Sequence, residues 1–192
     1  MRVLLLSTVV LLALTAGARA DFDTGLVKFE QGDFYGAQEE LRPLADAGDP
    51  RAQYVMGVMA LNGLAGEAQP NEGAAWLKLA AEQNYVEAQV ELARLYKIGE
   101  GVEQDFSKMV HWYRRAAEQG HVGAQLFVAD AYAYGQGVET DFVEAYMWYD
   151  VAIRYWGDLA VHARDVISDQ MTAEQIGEAK RRAATIALPA SQ

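Results

Sequence analysis

Apolar residues recur along this chain at helical spacing. Ala88, Leu92, Leu95 and Tyr96 fall on one helical face, and Val110, Tyr113, Ala116 and Ala117 repeat the pattern after a gap. Between the two stretches lie the signals of a turn. Gly99 stands where the first helix must stop, since glycine takes the left-handed C-terminal conformation without steric cost, and Gly101 lets the chain turn again. Asp105 then offers a side-chain oxygen to the unpaired amides of the second helix. The pattern predicts a helical hairpin.

That hairpin recurs with a period of 36 residues. Residues 52–87, 88–123 and 124–159 align without a gap and share six identical columns: Ala52/Ala88/Ala124, Gln53/Gln89/Gln125, Gly63/Gly99/Gly135, Glu67/Glu103/Glu139, Trp76/Trp112/Trp148 and Ala80/Ala116/Ala152. The second and third blocks also agree at Ala93/Ala129, Tyr96/Tyr132, Gly101/Gly137, Val102/Val138, Asp105/Asp141, Phe106/Phe142 and Tyr113/Tyr149. Glu144, three residues after Asp141, completes the spacing of a capping box. The first block departs in its loop, where Ala65, Gly66 and Gln69 replace glycine, valine and aspartate and Pro70 takes the first helical position. One such hairpin cannot bury its apolar surface alone, whereas stacked neighbours can, so the period predicts a solenoid. Alanine columns let helices approach closely, and Trp112 and Tyr113 fill the wider gaps.

The ends differ from the repeats. Residues 23–49 read as a shortened N-terminal hairpin, with Gly32-Asp33-Phe34 echoing Asp105-Phe106 and with Leu41, Leu44 and Ala45 continuing the second-helix pattern. Residues 160–187 read as a C-terminal cap, in which Thr172 and Gln175 form a capping box and open a helix running to about Ala183. Residues 188–192 are expected to fray. At the other end, Arg2, an apolar run over 3–17 and the small-x-small site Ala18-Arg19-Ala20 have the pattern of a secretory signal. Cleavage is expected between Ala20 and Asp21, since the apolar run falls short of the roughly 20 residues a membrane span needs. The expected location is the periplasm or the medium, with no integral membrane segment left after cleavage.

Composition narrows the partners. Losing Arg2 and Arg19 with the leader leaves 14 basic against 27 acidic residues, a net charge of −13. Nucleic acid and anionic lipid are therefore poor partners. The acids gather at 21–51 and 124–159, each carrying −5, while 88–123 is balanced. The chain has no cysteine, which excludes disulfides and every cysteine-based site.

These residues resemble the Sel1-like repeat (SLR) family, relatives of tetratricopeptide repeats with a longer loop between the helices. The resemblance is carried by Ala88-x3-Leu92-Ala93-x2-Tyr96-x2-Gly99-x-Gly101-Val102-x2-Asp105 and by Trp112-Tyr113-x2-Ala116-Ala117-x-Gln119-Gly120. It recurs from Ala124 through Trp148-Tyr149-x2-Ala152, more loosely from Ala52 through Trp76-x3-Ala80-Ala81, and covers residues 23 to about 185. It implies an all-α, right-handed α/α superhelical solenoid whose first helices line a concave face, in a protein that serves as an adaptor or regulator. Gly63, Gly99, Gly101, Gly135, Gly137, Asp105, Asp141, Trp76, Trp112 and Trp148 are structural repeat residues on this pattern.

Catalytic constellations do not emerge. Ser107-Lys108 lacks the three-residue offset of a Ser-x-x-Lys pair. His111, His121 and His162 are never i, i+4 as a helical metal site requires. Glu39 and Glu40 are adjacent on a helix and point apart. No enzyme activity, cofactor or metal is expected. Trp156, in the column of Asn84 and Gly120, is either an exposed aromatic anchor or a plug against the terminal cap.

Recognition is then expected at columns that vary. By analogy with tetratricopeptide grooves, the concave face takes Tyr54, Val58 and Leu61, then Val90, Arg94 and Lys97, then Leu126, Asp130 and Ala133, with Tyr134 at its border. The sequence reading is a periplasmic scaffold or regulator that holds a protein or peptide of the cell envelope in this groove. A glycan or peptidoglycan-fragment binder using Tyr134 and Trp156 is the alternative, followed by a subunit of a cell-wall enzyme.

Overall fold

The computed structural model describes residues 21–186, which form ten α-helices. The leader pattern at 1–20 and the tail at 188–192 lie outside the described residues, as do the side chains of Tyr155 and Trp156. Helices α1 (Phe22–Glu30) and α2 (Phe34–Asp46) make the short front hairpin. Three longer hairpins follow: α3 (Pro50–Asn62) with α4 (Pro70–Glu82), α5 (Val86–Ile98) with α6 (Phe106–Glu118), and α7 (Val122–Tyr134) with α8 (Phe142–Trp156). Within each pair the helices pack on one another, and α2, α4, α6 and α8 pack in turn on α3, α5, α7 and α9 (Asp158–Ser168). This serial stacking is the solenoid that the 36-residue period predicts. Among the described residues no helix is long and apolar enough to cross a membrane.

The local signals act as their chemistry requires. Gly63, Gly99 and Gly135 end α3, α5 and α7 in the left-handed conformation. Asp105 accepts the Lys108 N–H at 2.9 Å, and Asp141 accepts those of Val143 and Glu144 at 2.9 and 3.1 Å. The Lys108 amide, followed by the Lys108 ammonium, holds the Asp105 carboxyl below its ordinary range. Gln69 makes no side-chain cap bond, and Pro70 opens α4 instead. Asp141→Ala is therefore expected to lower stability by about 0.5–2 kcal/mol. Asp105→Ala should act in the same direction and Gln69→Ala should do little, with urea denaturation as the measure. Equal losses at all three positions would contradict the assignment of the caps.

A buried glutamine column ties each repeat to the one before. Gln53, Gln89 and Gln125 are all buried, and each donates its amide to a carbonyl at the end of the preceding second helix, Ala45, Ala81 and Ala117 respectively. Gln83 and Gln119 donate in turn to the Oε1 atoms of Gln53 and Gln89, each at 2.8 Å. The third repeat has Tyr155 in that column, and the Gln125 Oε1 has no partner among the described residues.

The C-terminal end departs from the sequence reading in two respects. First, 160–187 holds more than one capping helix. Helix α9 begins at Asp158, 36 residues after the Val122 that begins α7, and its Ala160 is fully buried like Ala52, Ala88 and Ala124. It stands in the register of a first helix and packs on α8 as α3, α5 and α7 pack on the helices before them. The inter-repeat turns use a positive φ at Gly48, Asn84 and Gly120, but Trp156 occupies that column, so the turn falls at Gly157 and α8 runs to 15 residues. Helix α10 (Ala173–Ala183) opens on the predicted Thr172–Gln175 capping box and packs chiefly on α8. Second, the capping box expected at Asp141 is only half made. The Glu144 carboxylate is buried and pairs with Arg182 of α10 rather than with the cap backbone, because α10 brings a guanidinium to it.

Candidate functional site

The first helices of the stack are α1, α3, α5, α7 and α9, and the contacts of Tyr54 with Tyr85 and of Lys97 with Phe127 join the outer faces of α3, α5 and α7 into a strip. Among the described residues, nine large apolar side chains are exposed, and six of them are on these helices: Val27, Ile98, Phe127, Tyr134, Leu159 and Val166. The remaining three, Tyr35, Leu79 and Phe106, are on α2, α4 and α6.

Most of the expected groove residues reach this strip. Tyr54, Val58, Val90, Arg94, Lys97, Leu126 and Asp130 are half-buried, and Tyr134 is 75% exposed. Leu61 and Ala133 are the corrections: both are 7% exposed and belong to the core. An α-helix turns about 100° per residue, so the ninth position after each opening alanine lies about 60° from the sixth, toward the core. The tenth lies nearer the strip's centre, and its occupants Asn62, Ile98 and Tyr134 are exposed. Lys97 shares the ninth column with Leu61 and still reaches the surface, because its long stem carries the charge outward.

From the N-terminal side, the strip opens on Tyr54 and Tyr85, whose rings lie 5.3 Å apart. Burial, followed by the charge of Glu91, raises the Tyr54 hydroxyl above its usual range. Glu91 bonds to Arg94 at 2.8 Å, and Arg94 reaches Glu100 at 3.3 Å, so the central guanidinium is held by two carboxylates. Next, the Lys97 ammonium stands 5.3 Å from the centre of the Phe127 ring. Phe127 is stacked on Tyr113 of α6 at 4.7 Å and remains 45% exposed. Gly123, Leu126, Phe127 and Asp130 line an open pocket of about 230 Å³. Asp130 accepts the hydroxyl of buried Tyr149 at 2.6 Å, and burial, followed by that contact, pushes the tyrosine well above its ordinary range.

Sequence reasoning missed Phe127, Glu91, Tyr113 and the whole of α9. Phe127 and Glu91 occupy the third position after the opening alanine, a varying column about 20° from the tenth, and that variation was the available signal. On α9, His162 falls in the column of Tyr54, Val90 and Leu126, and exposed Val166 falls in that of Val58, Arg94 and Asp130. The strip therefore continues past the third repeat.

The residues weighed for chemistry are separate. His111 is exposed and edge-on to Trp112, His121 caps α7 through its Nδ1, and His162 lies on α9. Glu40 bonds to Lys28, while Glu39 is exposed.

The Sel1 repeat family matches residues 50–85, 86–121 and 122–154, more than half of the chain. The chain belongs to the Sel1 repeat family. Its fold is similar to that of a Sel1 repeat protein from Oxalobacter formigenes, with 28% identity and a TM-score of 0.71 over 78% of this chain and 62% of that one. It is also similar to a protective antigen present in uropathogenic Escherichia coli strains that displays an SLR fold, with 30% identity and a TM-score of 0.64 over 78% of this chain and 32% of that one. The chain thus spans less than two thirds of either relative. No curated protein matches it. Sel1 repeat proteins generally act as protein-interaction scaffolds on a fold that is generally non-catalytic. The Sel1 matches begin at 50, 86 and 122, where α3, α5 and α7 begin, two residues ahead of the opening alanines.

Proposed function

We propose that the chain is a non-catalytic scaffold or regulator in the bacterial periplasm, binding a protein of the cell envelope along the exposed faces of its first helices. The observation that carries this reading is the concentration of exposed apolar side chains on those helices. The Sel1 family's general role in protein interaction supports it, and the leader pattern at 1–20 supports export.

A photo-crosslinking amino acid placed in living cells at Leu126 or at Tyr134 tests the face, with Leu79 of α4 as the control. Discrete adducts are expected at the first two positions and none at Leu79. The reverse pattern would move the interface to the second helices. Osmotic shock tests the location: the released product should begin at Asp21, and a membrane-bound product whose intact mass includes 1–20 would refute export.

A further inference from the structure

We propose that the pocket at Leu126 and Phe127 seats an apolar side chain of the partner, and that Lys97 pairs with a carboxylate carried beside it. The occupant is thus a protein segment in which a Leu, Ile, Met or Phe adjoins an Asp or Glu. This assignment rests on the first-helix face being the interface.

The carrying observation is a difference among the cations of that face. Lys28 pairs with Glu40, Arg51 with Asp49, Arg94 with Glu91 and Glu100, and Arg164 with Asp150 and Asp165. Among the described residues of the first helices, Lys97 is the one cation with no carboxylate within ion-pair distance. Its ammonium faces the Phe127 ring instead. A cation over an aromatic face keeps its capacity for an anion, since the ring quadrupole is a weaker partner than a carboxylate.

The apolar half of the site is next to it. The same Phe127 ring forms a wall of the pocket with Leu126, and Gly123 leaves room where Arg51, Glu87 and Leu159 occupy the equivalent column. Asp130, the acid of the pocket, is already engaged by the Tyr149 hydroxyl. The 124–159 block that supplies Leu126, Phe127 and Asp130 carries −5, so the ligand carboxylate is placed at Lys97 and away from Asp130. Charges beyond about 8 Å are screened at physiological ionic strength, and the 88–123 repeat carrying Lys97 is balanced.

The test is selection from a displayed library of random short peptides by the purified protein and by its Lys97→Glu and Phe127→Glu variants. Recovered peptides are then titrated by fluorescence polarisation. Wild type should enrich peptides that join an apolar residue to an acidic one. Lys97→Glu should weaken these by about tenfold or more and turn selection toward Lys or Arg beside the apolar residue, while Lys97→Arg retains them. Phe127→Glu should lose both classes; Leu126→Asn gives the same readout if Phe127→Glu loses its helical circular dichroism. Peptides that depend on Phe127 yet are indifferent to Lys97→Glu would overturn the proposal and leave the face standing as the interface. Absence of any peptide that depends on Phe127 or Leu126 would overturn both.

Discussion

Trp148→Ala is expected to lower the free energy of unfolding by about 3–5 kcal/mol, the range for deleting a large aromatic from a packed core. Trp148 is 1% exposed in α8, within a core that runs from α3 to α10. Its Nε1 has no hydrogen-bond partner among the described residues, so the loss is one of transfer and cavity. The neighbours cannot collapse into the space without giving up their own contacts with α7 and α10, since both pack on α8. Trp76 provides the comparison. It occupies the same column, but it is half-buried and its Nε1 donates to Glu72 at 3.2 Å near the surface, so Trp76→Ala should cost clearly less. Chemical denaturation followed by circular dichroism measures both variants. Equal losses would mean that burial does not set the cost in this column.

Gly137→Ala should be severely damaging for so small a substitution. Gly137 has φ +79°, and a Cβ there would run into the backbone carbonyl of Phe106 at the start of α6. The loop of one repeat lies directly on the second helix of the repeat before it, and Gly101 makes the equivalent approach to Pro70 of α4. A left-handed backbone costs an alanine about 1–2 kcal/mol. Displacing a neighbouring backbone adds an overpacking term of about 1–3 kcal/mol. Gly48→Ala separates the two contributions, since Gly48 has φ +97° and nothing within 4 Å of an added Cβ. Thermal unfolding should place Gly137→Ala well below Gly48→Ala. If the two coincide, the contact between repeats contributes nothing.

The Ala65 departure follows from the same contact. The first block has alanine where Gly101 and Gly137 stand, and in this loop the positive φ falls instead at Gly66, at +140° with open space around it. The loop takes another route and does not need the close approach. Sequence alone marked the loop as different, but the consequence depended on what the neighbouring hairpin places beneath it.

The same division holds for the candidate site. Columns that vary were legible as a group, and most of their members reach the surface. Leu61 did not, because the ninth position of the helix turns toward the core, while Phe127 was passed over although its column also varies. Periodicity gives an angle on a helix, but not how far a neighbouring helix reaches over it. Phe127 is a site wall because Tyr113 supports it from α6 and Lys97 covers it from α5, two contacts made across repeats.

The residue pattern alone thus carried the paired helices of the three repeats, the aspartate and glycine caps between them, the period and hence the stacked fold. Each of these depends on interactions within a few residues: an apolar face at helical spacing, a carboxylate reaching an amide two or three residues on, a glycine free to take positive φ. Contacts between helices set the rest: Glu144 turns from its own cap to Arg182, α9 continues the stack while α10 folds onto α8, and Lys97 is left without a carboxylate beside an open pocket. Those outcomes join residues from different helices, up to 38 positions apart for Glu144 and Arg182. Their partners are set by how the hairpins pack, and helical spacing carries no information about that distance.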